Sequence, residues 1–178
     1  MVEMELLGVQ VEMPSNSPLM LLKETEGPGR VLPVVIDTPE AQAIYRGIER
    51  IRMARPLTHD LMKNLIEDLG AEVVRVTVTE LRERTFFAEI EVVLNGDTHV
   101  ISARPSDAIA LAVRTDTPIF ATEEVLAEAG QFIEEGAQGA VAGDAEQGGD
   151  EESADAPDEL IDEFSKFLED VNPEDFES

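Results

Sequence analysis

Two stretches of this chain, offset by 67 residues, can be laid over one another. That correspondence constrains the fold more than any other feature. Pro39-Glu40-Ala41-Gln42-Ala43-Ile44 aligns with Ser106-Asp107-Ala108-Ile109-Ala110-Leu111. Each stretch reads carboxylate-Ala-x-Ala-apolar and follows an apolar run. In each half a later threonine, Thr58 or Thr122, stands where it can cap a second helix, and a glycine, Gly70 or Gly130, stands where that helix must end. An internal duplication of three strands and two helices accounts for this, and predicts two β3α2 units related by a pseudo-twofold axis.

The periodicities agree with that reading. Residues 4–13 alternate loosely, 18–23 and 31–36 are short apolar runs, and Glu26-Gly27-Pro28-Gly29 marks a turn. A helix follows, with Asp37 or Thr38 as cap and Ala41, Ile44, Tyr45, Ile48 and Ile51 at helical spacing. Thr58 caps the next helix, which carries Leu61, Met62, Leu65, Ile66 and Leu69 on one face. Three more strands cover 73–81, 85–94 and 98–103, and Asn95-Gly96 signals a hairpin between the last two. A helix from Ser106, which can cap it, to Arg114, an extended link at 118–121 and a helix from Thr122 to Ala129 complete a domain over residues 1–130.

Beyond residue 130 the composition changes. Residues 131–178 hold 17 acids and one base, out of a net charge of −26 for the chain. Residues 131–157 have too few large apolar side chains to order themselves and are expected to form an acidic linker. Within 158–178, Leu160, Ile161, Phe164, Phe167, Leu168 and Val171 make one apolar stripe, so an amphipathic acidic helix is expected. Two placements of that helix stay open. It docks on its own domain, competing with nucleic acid for the basic residues Arg46, Arg50 and Arg55, or it binds a protein partner.

Composition excludes some chemistry. With no cysteine there is no disulfide, thiolate metal site or thiol nucleophile. Only His59 and His99 are present, which argues against a multi-histidine metal centre. No phosphate-binding glycine loop, dinucleotide fingerprint, zinc-protease helix or nucleophile elbow occurs. The N-terminus lacks the basic start and apolar run of a secretion signal, and no stretch reaches the ~20 apolar residues of a membrane span. A cytoplasmic protein is expected.

What remains is carboxylates, arginines and one histidine at helix starts. Asp60 and Asp107 sit in first helical turns, where the dipole favours an acid, so both have a purely structural explanation. His59 has none, because the same dipole disfavours its charged form; a neutral imidazole there suits a base or ligand. Arg104 ends a strand, placed to clamp a phosphate or to brace the strand–helix corner. Glu89 alternates onto the polar face of its strand and reads mainly as a surface acid. Arg46, Arg50, Arg55 and Lys63 form the one local basic stripe of an acidic domain.

Several blocks, in order, resemble the bifunctional nuclease domain family. They are Glu40-Ala41-Gln42-Ala43-Ile44, Arg55-Pro56-Leu57-Thr58-His59-Asp60-Leu61, Phe87-Ala88-Glu89-Ile90 and Ala103-Arg104-Pro105-Ser106-Asp107-Ala108-Ile109-Ala110-Leu111-Ala112. The resemblance covers roughly residues 4–130. It implies an α+β fold with a curved, barrel-like mixed sheet and helices packed outside, and nuclease activity on DNA and RNA. On that footing the expected catalytic residues are Glu40, His59, Asp60, Arg104 and Asp107. His59 is the base, Arg104 the phosphate clamp, and Glu40, Asp60 and Asp107 bind Mg²⁺ or Mn²⁺, which take oxygen ligands. A homo-oligomer is also expected. The other reading is a non-catalytic regulatory module in which Arg104 and Asp107 only lock strand to helix and the tail binds a protein.

Overall fold

A computed structural model describes residues 1–12 and 15–132. Strands β1 (Val2–Glu12), β2 (Ser17–Glu24) and β3 (Val31–Val35) form an antiparallel meander, followed by α1 (Thr38–Ile48) and α2 (Thr58–Asp68). Strands β4 (Ala71–Arg82), β5 (Thr85–Leu94) and β6 (Asp97–Ala103) form a second meander, followed by α3 (Pro105–Thr115), β7 (Ile119–Ala121) and α4 (Glu123–Ala129). Asn95 and Gly96 both have positive φ and turn β5 into β6, as the hairpin signal requires.

The seven strands make one sheet in the order β3-β2-β1-β7-β4-β5-β6. The two meanders therefore run outward from β7 in mirrored order, as a repeat of three strands demands. β7 occupies the segment expected to be only an extended link. It pairs antiparallel with β1 and parallel with β4, and so joins the halves. The first half has no counterpart to it among the described residues. The barrel-like expectation is corrected. β3 and β6 are free edges and the sheet is not closed, so the helices lie against a sheet and not outside a barrel.

Alternation sets the inward face of each strand. In β5, Ala88, Ile90 and Val92 are buried while Glu89 is exposed. These join Met20, Leu22, Leu32, Val76 and Val78 and the apolar side of α3 in one core cluster, to which all four helices contribute. α3 is the most buried helix, with Ala108 through Ala112 all inside.

α1 packs on α3 through Gly47. A Cβ there would meet Val113 Cγ2 at 2.5 Å and Arg114 Nη1 at 2.7 Å. Helix propensity alone favours alanine by about 1 kcal/mol, but two side chains would have to move. We expect Gly47→Ala to lower stability by about 1–2 kcal/mol net, checked by urea unfolding.

The apolar stripes of the first two helices are wider than the arcs they bury. In α1, Ile44 and Gly47 are buried while Tyr45 and Ile48 are exposed. In α2, Met62 and Ile66 pack on the core while Leu61 and Leu65, and Leu69 just past its end, face outward. The linker expected over 131–157 lies outside the described residues except at its first two positions, where Gln131 bridges to Val31 on the β3 edge. The helix expected over 158–178 lies entirely outside them.

Candidate active site

The starts of α1, α2 and α3 meet around one cavity of about 370 Å³, lined by Pro39, Glu40, Gln42, Ala43, Arg46, Leu57, Thr58, His59, Arg104, Asp107 and Arg114. Two expected caps are corrected. Leu57 and not Thr58 is the N-cap residue of α2, and Arg104 and not Ser106 is that of α3. The shift has a common cause: each helix begins one or two residues earlier, at Thr58 and at Pro105. Glu40, Asp60 and Asp107 consequently all stand at the third helical position of their helices.

That shared position leads to different partners. Asp60 turns back on its own helix, accepting from the Leu57 backbone N–H at 3.0 Å, and its other oxygen accepts from Arg114 Nε at 2.6 Å. Asp107 faces side chains instead. Arg104 donates to it from Nε at 2.7 Å and Nη2 at 3.0 Å, and His59 Nε2 lies 3.2 Å from its Oδ1. Arg104 Nη1 reaches Glu40 Oε1 at 2.9 Å. Glu40 Oε2 is buried without a hydrogen-bond partner. The two acids at aligned helix starts therefore do converge, but across the Arg104 guanidinium.

An ionised carboxylate only accepts hydrogen bonds, so Nε2 of His59 carries the hydrogen toward Asp107. A neutral imidazole then keeps its lone pair on Nδ1. Arg104 has five N–H donors, puts two of them into hydrogen bonds with Asp107 and holds Glu40 as an ion pair through Nη1. Its side chain is 62% exposed, so the remaining donors are open to a ligand.

Burial alone would raise the Asp107 carboxyl. The hydrogen bonds and charges of Arg104 and His59 outweigh it and hold the group below the usual carboxylate range. Asp60 behaves alike: burial raises it, and Arg114, the Leu57 N–H and the nearby charges bring it net downward. Groups whose folded-state pKa is depressed contribute stability that is complete above the unfolded values. It is lost as pH falls through the folded ones. We expect thermal stability to be level from neutrality to about pH 5 and to fall below about pH 4. Arg104→Gln should flatten that fall, as followed by circular dichroism melts.

The metal expectation meets a specific obstacle. Asp60 belongs to Arg114, and Arg104 stands between Glu40 and Asp107. Among the described residues no three His, Asp or Glu side chains group as ligands. Glu89 is exposed on β5, and His99 is exposed on β6.

A second cavity of about 430 Å³ shares Arg46 and Arg114 with the first and adds Arg50, Arg52, Lys63, Asp60 and Asp116, among others. Arg50 is paired with Asp116 at 3.1 Å, and Lys63 donates to the Arg114 carbonyl at 3.0 Å. The Arg46 and Arg52 side chains have no partner among the described residues. Most of the expected basic stripe thus lines this second cavity, which adjoins the cavity at the His59–Asp107 cluster through Arg46 and Arg114, although Arg55 does not. Sequence reasoning missed Arg114 and Arg52. Arg114 reads as an ordinary last-turn cation, and only its burial against Asp60 reveals its place.

A family model described as "Bifunctional nuclease domain" matches residues 20–134. A protein of Mycobacterium tuberculosis (strain ATCC 25618 / H37Rv), named only as uncharacterized, is 38% identical over 178 residues, covering 99% of this chain and 98% of its own. Bifunctional nuclease 2 of Arabidopsis thaliana is 30% identical over 112 residues, which are 60% of this chain and 34% of that protein. Bifunctional nuclease 1 of the same plant is 30% identical over 105 residues, 57% of this chain and 32% of its own.

Proposed function

The chain belongs to the bifunctional nuclease domain family, and we propose that it cleaves phosphodiester bonds in DNA or RNA at the cavity where three helices begin. One observation carries this reading. A histidine held by a carboxylate, an arginine with donors to spare and three helix N-termini border the same space. Helix N-termini and arginine are the groups that bind phosphate.

Arg104 and the helix starts would hold the scissile phosphate and offset the charge gained as water attacks phosphorus. His59 Nδ1 would take the proton of that water, while Asp107 holds the ring and stabilises the imidazolium. As the new P–O bond forms, the bond to the leaving oxygen breaks, and that oxygen takes its proton from solvent. The adjoining cavity with Arg46 and Arg52 would carry the flanking backbone. Glu40, Asp60 and Asp107 are taken up by Arg104 and Arg114 and do not form a ligand set for Mg²⁺ or Mn²⁺.

Purified protein should degrade single-stranded DNA or RNA, tested with Mg²⁺, with Mn²⁺ and with a chelator. Arg46→Ala with Arg52→Ala should weaken binding and reduce its salt dependence by about two ion equivalents. Cleavage that survives both Asp107→Ala and Glu40→Ala would place the chemistry elsewhere. A second reading rests on the pairing of Arg104 with both Asp107 and Glu40, which suits a domain that binds without cutting. Binding without cleavage in every metal condition would favour it.

A further inference from the structure

We propose that β6 pairs with β6 of a second copy of this chain, antiparallel about a twofold axis, joining the two sheets edge to edge. The two free edges of the sheet are treated differently. β3 carries Pro33 in mid-strand and is bridged at Val31 by Gln131. A proline removes a donor and blunts an edge. β6 has neither device. Its sequence is Asp97-Thr98-His99-Val100-Ile101-Ser102-Ala103, and no described strand pairs with its outer side. Val100 is 57% exposed and Ile101 49%, and the two point to opposite faces of the strand.

Charge selects the occupant. In a chain of net charge −26, residues 98–102 carry no formal charge when His99 is neutral. This is a stretch where two copies can approach without setting acid against acid. A twofold centred on Val100 places it against the partner's Val100, and His99 against the partner's Ile101. It also sets Thr98 against the partner's Ser102 and Asp97 against the partner's Ala103. One strand inward, Glu91 is neutralised by Arg75, whose Nε lies 2.9 Å away. A basic partner would find a single acid, Asp97, on this strand, so the edge is more complementary to itself than to a cation-rich segment.

A seven-residue ladder is a small interface, and affinity on the order of micromolar is expected. The remaining acids of the two copies repel, so association should strengthen as salt rises. Sedimentation velocity of the full chain between about 1 and 100 µM, at low and at roughly 0.5 M salt, reads both effects. The wild type should shift toward dimer with concentration and with salt. Val100→Lys with Ile101→Lys sets lysines against each other across the axis and should weaken the dimer by about tenfold or more. Both positions are exposed, so circular dichroism should be unchanged. Hydrogen exchange should show residues 98–102 gaining protection with concentration. A wild type that stays monomeric throughout overturns the proposal. So does a dimer that survives the double lysine variant but is lost in Leu65→Lys on α2, and so does concentration-independent protection of β6.

Discussion

Asp107→Asn is expected to lower nucleic-acid cleavage by about 10²–10⁴-fold while leaving the domain folded. The substitution keeps the shape of the side chain and removes its charge. An amide presents one acceptor and one donor where the carboxylate offered two acceptors. The Arg104 fork and His59 Nε2 therefore cannot both be satisfied. The ring then loses the partner that keeps its hydrogen on Nε2, and the imidazolium formed in the reaction loses its counter-charge. His59→Ala should fall in the same range, and the double variant should cost little more, because the two act as one unit. The readout is kcat/KM against pH. Loss of the dyad should remove a limb of the profile, whereas a bracing role alone would lower Tm and leave the profile's shape intact.

Ile44→Ala and Leu111→Ala are each expected to destabilise the domain by about 2–5 kcal/mol. The two residues occupy equivalent positions in the 67-residue offset, on α1 and α3, and both are fully buried. Each deletion removes apolar contacts and leaves a cavity that the packed neighbours fill only in part. Since small domains are stable by only about 5–15 kcal/mol, either change removes a large fraction of the total. Midpoints of urea or thermal unfolding measure this, and similar losses at the two sites are what a repeated β3α2 core implies. Leu65→Ala, on the exposed side of α2, should by contrast change stability by about 0.5 kcal/mol or less.

How much of this was legible depended on range. Helix starts, the Asn95-Gly96 hairpin and the inward side of β5 follow from interactions within a few residues, and those the sequence carries openly. The acids at the third helical position were visible as a repeated pattern, and so was the odd placement of His59 at a helix start. Errors were also local in kind. Thr58 and Ser106 are good capping residues, but each is drawn inside its helix. Leu61, Leu65 and Leu69 match the helical period as well as Met62 and Ile66 do, and nothing in the periodicity says which arc finds a neighbour.

The sequence by itself determined the order of six strands and four helices, β7 excepted, and which residues had no simple structural excuse. Tertiary structure alone decided what those residues meet. His59 and Asp107 are 48 positions apart, as their hydrogen bond spans the chain from α2 to α3, and Arg114 lies 54 positions from Asp60. Such pairs depend on how the helices pack against one sheet, and no local propensity encodes that. The same holds for the open edges. Closure of a sheet depends on the tilt and stagger of all its strands together, so alternation within a strand could foretell its inward face, as in β5, without telling whether β3 and β6 would meet.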